Sequence, residues 1–560
     1  MSRIVGIDLG TSTSEIGCIV DGAPKLIPNS LGKLITPSVA HISQDGEALL
    51  GEEAAEYLFT RPDCTFMEVK RLTGSGEKLR AHGKEYAPEE IQAMLLRYLV
   101  RCAEDWLNEK INRAVITVPA YFTDTQRRAT ARAGELAGLQ VERIINEPTA
   151  AALDYGLSNL KDYKNALVYD LGGGTLDVTV LELYGGVIDV KASSGNNHLG
   201  GKDFDEIIMA RLADPEGDER ALMRLKKAAE ECKIALSSQE EFKVSLPFLL
   251  TGKDGKPVSV EKTVSRREFD AWVWEKVQST RGPMMSALGD AKLSPEDLQV
   301  ILLVGGSTRI PCVKKMVEET LGAVPRSLVD PDLTVARGAA IQAGLIEGSI
   351  NNEDLVLTDV CPYTLGTAPL REGFFSKRQI FDPLIPRNTT IPTEKKQVYI
   401  TAADYQTEVV IDVFQGESSD LENNERLGEL RLTGIPPAKK GKEQIEVSFG
   451  YDMNGILQVK ASVVSTGKQV SADISTAGIK AKSSLDLSKW EQAEGARAFR
   501  PLIRKAEKMI ASGMDEGEDL SLLVRQIKEA LLLNNLERAG DLREDLRIML
   551  GALEKLDQLL

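Results

Sequence analysis

Aromatic side chains make up only 5% of the 560 residues, which leaves little material for the stacking platforms that hold single-stranded nucleic acid. Histidine is scarcer still: the three in the chain lie far apart and suggest no ligand cluster. The six cysteines (Cys18, Cys64, Cys102, Cys232, Cys312 and Cys361) include no C-x-x-C pair. That argues against a disulfide framework or a zinc site and for reduced, buried thiols. No uninterrupted apolar run approaches the length of a membrane span. A strand-like segment begins within three residues of Met1, leaving no room for a signal peptide. Basic residues are outnumbered, 68 Lys and Arg against 84 Asp and Glu, for a net charge of −16. Such a balance disfavours general binding to nucleic acid or anionic membrane. A cytoplasmic protein that binds neither is the expectation.

What is present is 42% apolar residues, ordinary for a globular chain, and a length that suits three or four domains. The stretch Ala166-Leu-Val-Tyr-Asp-Leu-Gly-Gly-Gly-Thr-Leu-Asp-Val178 organises the whole. An apolar strand ends at Asp170, and Gly172, Gly173 and Gly174 form a tight turn before strand composition resumes. The turn offers bare backbone N–H groups to an anion, and the carboxylate beside it is a hard oxygen ligand. Read alone, three glycines are as well explained by a plain turn. Residues Arg3-Ile-Val-Gly-Ile-Asp-Leu-Gly-Thr-Ser-Thr-Ser14 repeat the plan around Asp8, about 160 residues earlier. Two such hairpins suggest a duplicated domain pair facing one nucleotide phosphate tail and its metal.

From Met1 to about Asn351 the chain alternates strand-like and helix-like segments, the mark of α/β architecture. Pro88 to Leu107 reads as an amphipathic helix with apolar Ile91, Leu95, Leu99 and Trp106. Asp124 to Ala137 reads as a helix capped by Thr123 or Asp124. Lys70 and Arg71 are either a solvated pair or functional, and Glu147 is either a helix N-terminal charge or functional. Arg220 to Ser238, with Glu230 and Lys233, reads in isolation as a charged helix with a solvated face. Val300 to Pro311 is a strand entering a Gly-Gly turn and then a helix, aiming amides and Arg309 at a ligand. Asp330-Pro-Asp332 is expected to cap the helix through Gly344. Residues 352–359 read as a dockable linker, 360–475 as an antiparallel β-sandwich, and 476–560 as a charged helical tail. Pro501, Asn534-Asn535 and Gly540 divide that tail into about three helices.

These motifs resemble those of the heat shock protein 70 (DnaK-type) chaperone family. The residues are Gly6-Ile-Asp-Leu-Gly-Thr11, Val118-Pro-Ala-Tyr-Phe122, Ile145-Asn-Glu-Pro-Thr-Ala-Ala151, Asp170-Leu-Gly-Gly-Gly-Thr175, His198-Leu-Gly-Gly201, Val304-Gly-Gly-Ser-Thr-Arg-Ile-Pro311 and Arg387-Asn-Thr-Thr-Ile-Pro392. They occur in the family's order from the first strand through the sandwich. Residues 358–366 and 449–455 look most like the compact HscC-type branch.

The resemblance implies an actin-like, duplicated ribonuclease-H-like ATPase domain (1–351), the linker, a sandwich that binds extended apolar peptides of client proteins, and a short helical lid. It implies ATP and ADP with Mg2+ and K+. By match to the family's motifs, Lys70, Glu147, Asp170 and Thr175 would be catalytic, Asp8 and Asp170 would hold Mg2+, and Asp177 K+. Gly10, Thr11, Ser12, Gly172, Gly173, Gly174, Gly200 and Gly201 would contact phosphate. Glu230, Lys233, Ser237, Gly305, Gly306, Ser307, Arg309 and Asp332 would take the adenosine. Pro119 and Arg127 match an interdomain relay, Arg143 and Asn146 a J-domain co-chaperone contact, and Leu355, Val356, Leu357 and Asp359 the docking linker. Leu370, Tyr399, Ala402, Val409, Ile411 and Ile456 align with the peptide groove, although from the residues alone they read as sandwich core.

The chain departs from the family pattern in several places. It is shorter between Lys70 and Pro88 and around Arg211 to Arg220, where nucleotide-exchange factors bind, which puts that partner in doubt. Asn196 stands where the family has Asp, and Thr367 replaces an aliphatic groove residue. The tail is short, which argues against a full lid closing over the groove. A small-molecule kinase or a filament-forming ATPase would share the paired hairpins, but neither has a use for the linker and sandwich.

Overall fold

The computed structural model describes residues 3–156, 163–215, 218–251, 257–327, 330–350, 355–372, 377–473, 487–511 and 517–557. The chain divides into two compact units. The first comprises Met1–Pro362 with two short loops from later in the chain, Asn388–Pro392 and Tyr451–Ile456. The second holds the rest, sandwich and tail helices together.

The two largest sheets of the first unit match strand for strand. One runs Gln140–Asn146, Arg113–Val118, Ile4–Leu9, Thr13–Val20, Ala23–Leu26, with Thr36–Pro37 paired to Thr13–Val20. The other runs Arg326–Ser327, Val300–Val304, Lys164–Leu171, Leu176–Tyr184, Val187–Asn196. In each, the central strand has a parallel neighbour on one side and its own hairpin partner on the other. The second sheet gains a further edge strand, Val356–Leu357, which pairs in parallel with Val187 and Ile188. Linker residues 352–354 lie outside the described residues; Val356 and Leu357 form this strand.

One core joins the two sheets. The helices Glu147–Gly156 and Thr334–Glu347 contribute Ala150, Leu153, Val335 and Ala343, and the strands contribute Ile4, Val115, Val168 and Leu302. Small residues permit this closeness: a Cβ on Gly338 would lie 1.8 Å from the Ala150 carbonyl oxygen. Separate cores back each sheet on its outer face.

Local sequence explains the element ends. The helix Pro88–Leu107 starts with proline and two acidic residues and stops at Asn108 in the left-handed region. Its stripe of Ile91, Leu95 and Leu99 is buried, but Trp106 is 45% exposed, while its neighbour Leu107 is the last-turn residue that packs on the core. The helix Asp124–Leu136 carries a reciprocal cap: Gln126 N–H donates to Thr123 Oγ1 and Thr123 N–H to Gln126 Oε1.

Three expectations need correction. Asp330 and Asp332 do not cap the following helix; Leu333 precedes it, and both carboxylates accept from Arg309 instead. That helix passes Gly344 and ends at Glu347, stopped by Gly348 at φ 80°. Pro501 starts rather than divides a helix, Arg500–Ala511, since proline is tolerated in a first turn, and Gly540 lies inside Leu536–Asp557.

In the second unit, one antiparallel sheet is ordered Asp382–Ile385, Leu365–Thr367, Glu408–Gln415, Glu425–Thr433. Another comprises Thr393–Ile400, Gln444–Tyr451, Leu457–Val463 and Gln469–Asp473. The tail helices Arg500–Ala511, Gly517–Leu532 and Leu536–Asp557 bury a core of their own around Trp490, Phe499, Ile527 and Leu546. Glu529 ties this bundle to the sandwich turn, accepting from Ser418 Oγ and from the Ser419 N–H at 3.2 Å.

Candidate functional site

The tips of the two matching hairpins meet. A Cβ on Gly173 would fall 2.3 Å from Ser12 Oγ, so only glycine permits the approach. The turns close alike, with Leu9 opposite Ser14 in one and Leu171 opposite Leu176 in the other. Behind them the helix Gly201–Leu212 begins, its Gly201 and Lys202 N–H groups donating to the Gly172 and Gly173 carbonyls. Ser307 Oγ donates to the Gly172 carbonyl as well, at 2.9 Å. Gly305, at φ 80°, lets its turn pass against the Leu171 carbonyl and the Asp170 carboxylate.

A cleft opens between the hairpins. It is lined by Asp8, Gly10, Thr11, Ser12, Glu15, Lys70, Glu147, Asp170, Gly172, Gly173, Thr175, Gly305, Gly306 and Asp332. The structure therefore brings Asp8 and Asp170, from the two halves of the duplication, into one site with Lys70 and Glu147. Lys70 Nζ and Glu147 Oε1 are 2.5 Å apart, and both side chains are nearly buried. Lys70 sits in a short turn, Val69–Leu72, opened by Glu68 in the left-handed region. Arg71, next along, pairs with Asp203 at 2.7 Å.

The electrostatics are those of a site short of positive charge. Burial, reinforced by Glu147, pushes the Asp8 carboxyl up to about 6, against the pull of Lys70 and a 2.6 Å hydrogen bond from Thr117 Oγ1. Burial and then Glu147 raise Asp177 to about 7, although the Tyr121 N–H donates to its Oδ1. Asp170 is held well above the ordinary range, first by burial and then by Glu147, Asp177 and Asp8. Glu15 is raised likewise, by burial and then by Asp8. Asp177 Oδ2 and Glu15 Oε1 have no hydrogen-bond partner among the described residues. Uncompensated buried carboxylates beside exposed backbone amides fit a hard cation with a phosphate.

The other expected nucleotide residues do not line the cleft itself. Lys233 Nζ donates to Asp205 at 2.8 Å and to the Gly201 carbonyl at 3.1 Å, while Glu230 accepts from Lys202 at 2.9 Å. Ser237 Oγ donates to the Lys233 carbonyl. Arg309 bridges Asp330 and Asp332. Gly174 lies against Thr11, and Gly200 against Gly173 and Gly174. Asn196 accepts from the His198 N–H within its turn.

A second group assembles where the first unit receives its late loops. Arg127, 2% exposed, donates to Asn146 Oδ1 at 2.6 Å and to the Ala120 carbonyl at 3.0 Å. Asn454 Oδ1 accepts from the Ile144 N–H. Asp359 is raised by burial and pulled back by Arg127; its Oδ2 accepts from Thr149 Oγ1. Arg143 Nη1 donates to Gln342 Oε1, and the Pro119 carbonyl accepts from the Phe122 N–H. Asn146, expected to meet a co-chaperone, is buried here, while Arg143 is half-buried.

Of the groove residues, Ile411 is buried, Tyr399, Ala402 and Val409 are half-buried, and Leu370 is 48% exposed. Tyr399 OH donates to Asp382 Oδ2. Thr367 is buried and donates to the Asp412 carbonyl, so its hydroxyl is satisfied within the sheet. Ile456 falls in the loop that groups with the first unit, the other five in the second.

Glu15 was missed in the sequence because it looks like one polar residue in an alternating strand. The usable signal was the duplication: an acidic residue follows the hairpin aspartate at the same spacing in both copies, Asp8 to Glu15 and Asp170 to Asp177.

Comparison with known proteins gives a consistent result. The family profile described as Hsp70 protein matches residues 4–80 and 75–520. The chain is 47% identical over 480 residues to "Chaperone protein DnaK" of Thermotoga neapolitana, covering 84% of this chain and 79% of the relative. It is 42% identical over 573 residues to "Chaperone protein DnaK" of Thermosipho melanesiensis, covering 97% and 95% respectively.

Proposed function

Since the chain belongs to the Hsp70 family, we propose that the cleft between its paired hairpins is where ATP is bound and hydrolysed to drive peptide binding elsewhere in the chain. The protein is an ATP-dependent molecular chaperone and an ATPase. It acts on client polypeptides together with co-chaperones. The observation that carries the site is the convergence of Asp8, Asp170, Lys70 and Glu147 from separate elements onto one buried cleft.

In this reading Asp8 and Asp170 would hold Mg2+, which when bound supplies positive charge to the phosphates. Lys70 stabilises negative charge developing on the terminal phosphoryl group. Glu147, oriented by Lys70, positions the attacking water and receives its proton. Thr11, Ser12 and Thr175, with the glycine N–H groups, hold the phosphate tail, and the turn at Gly305 and Gly306 with Arg309 borders the adenosine. Asp177 is our candidate for K+.

The actin-like reading of the first unit rests on its matching sheets, and the peptide-groove and lid readings rest on the family resemblance. Coupling would run through Leu355–Leu357, whose edge-strand pairing supports a docked linker, and through Arg127, Asn146 and Asp359. We place a J-domain partner near Arg143 and Asn146, assign no exchange-factor site because the 70–88 and 211–220 regions that would form it are both shortened, and assign the chain to the HscC-type branch and the cytoplasm. No helix among the described residues is long and apolar enough to cross a membrane.

ATP binding by Asp170→Asn tests the cleft. With Mg2+ the variant should bind at least tenfold more weakly and hydrolyse at least a hundredfold more slowly than the parent. Unchanged affinity and rate would place the nucleotide elsewhere.

A further inference from the structure

Each hairpin carries two carboxylates, in matching register. Asp8 faces Glu15 in the first and Asp170 faces Asp177 in the second, one step in from the residues that close each turn. Both second members are buried, Glu15 at 2% exposure and Asp177 at 1%. Among the described residues, both keep one oxygen without a donor, Glu15 Oε1 and Asp177 Oδ2. Glu15 also lines the cleft beside Asp8 and Asp332.

The charge balance asks for more than one ion. Asp8, Glu15, Glu147, Asp170 and Asp177 gather here, and Lys70 is already bonded to Glu147. A phosphate tail would add further negative charge. Leaving a carboxylate oxygen buried and unpaired is costly, and proteins retain such groups where an ion or proton satisfies them.

We infer that Asp8 and Glu15 form a binding site for a second hard divalent cation of the Mg2+ class, with Glu15 its distinguishing ligand. The donors on this side are carboxylate oxygens, which select hard ions over thiolate- or imidazole-seeking ones. Two adjacent negative charges match a divalent better than a monovalent ion. Asp8 would be shared with the ion assigned to Asp8 and Asp170, as a carboxylate bridging two metals. The hairpin symmetry gives each half a second buried carboxylate, Glu15 in one and Asp177 in the other.

The inference rests on the reading of the cleft as the nucleotide site only for what the ion does there, so the test omits nucleotide. The full chain is titrated with Mn2+ as a paramagnetic stand-in, free ion being read by electron paramagnetic resonance. The parent, Glu15→Gln, Glu15→Asp and Asp177→Asn are compared, folding being checked by circular dichroism. The parent should bind one more Mn2+ per chain than Glu15→Gln, with the variant's affinity at that site down at least tenfold. Glu15→Asp keeps the charge and should keep the ion, even if Glu15→Gln does not fold. Asp177→Asn should leave the Glu15-dependent ion in place. Equal stoichiometry and affinity in the parent, Glu15→Gln and Glu15→Asp would overturn the site. ATP binding on the same samples keeps the two claims apart, since a chain that takes the ion but no ATP refutes the nucleotide reading alone.

Discussion

Lys70 Nζ and Glu147 Oε1 lie 2.5 Å apart at the floor of the cleft, joining a residue of a short early turn to the first residue of a helix 77 positions later. The pair explains how a buried lysine and a buried glutamate coexist, each supplying the other's counter-charge. It also sets Glu147 against Asp8 and Asp170, whose proton affinities it raises.

Lys70→Ala removes the cation bonded to Glu147. Nucleotide should still bind, within about tenfold, while single-turnover hydrolysis falls on the order of a hundredfold or more. Rapid-quench kinetics with radiolabelled ATP separate the two effects. A loss confined to affinity would assign Lys70 to ground-state binding instead.

Asp177 predicts a pH signature. It keeps its proton to about pH 7 in the folded chain but ionises near its ordinary 3.8 once unfolded. Between those values the folded state binds more protons, so stability falls as pH rises through them. In cation-free buffer, urea unfolding should show Asp177→Asn gaining on the parent from pH 4 to pH 8, by an amount on the order of a few kcal/mol. Added Mg2+ or K+ should shrink the difference. A pH-independent difference would contradict the uncompensated charge.

The contact of the hairpin tips is also testable. Gly173→Ala places a Cβ 2.3 Å from Ser12 Oγ and should cost about 1–3 kcal/mol in thermal unfolding. Adding Ser12→Ala removes the clashing oxygen and should recover most of the loss, a coupling that a double-mutant cycle reads directly. Additive losses would mean that the tips do not touch.

In the second unit, Glu529 is 2% exposed and accepts from Ser418, the Ser419 N–H and Arg525. Glu529→Ala leaves those donors unpaired and should cost about 1–3 kcal/mol. Hydrogen exchange should quicken first around residues 418–424. Unchanged protection there would show the bundle to be held by its apolar core alone.

Much of this was legible in the sequence because the signals were periodic or repeated. The starting proline and the apolar stripe give the helix Pro88–Leu107 its bounds, and of the two cap candidates, Thr123 and Asp124, the structure uses Thr123. The paired hairpins were visible as a repeat. The residues that escaped are those whose role depends on distant partners. Asp330 and Asp332 looked like caps until Arg309 claimed both. Glu15 looked solvated until the sheet buried it beside Asp8. Lys70 and Glu147 were each ambiguous alone, since nothing local says that two such residues share a cleft.

Single-turnover ATP hydrolysis with and without an extended apolar peptide, on the parent and on Leu355→Asp/Leu357→Asp, tests the central claim most directly. The edge strand formed by Val356 and Leu357 supports a linker that carries the signal. Peptide should accelerate hydrolysis several-fold in the parent and leave the linker variant unchanged. Hydrolysis indifferent to peptide in the parent, or equally stimulated in the variant, would contradict a chaperone cycle driven through this linker.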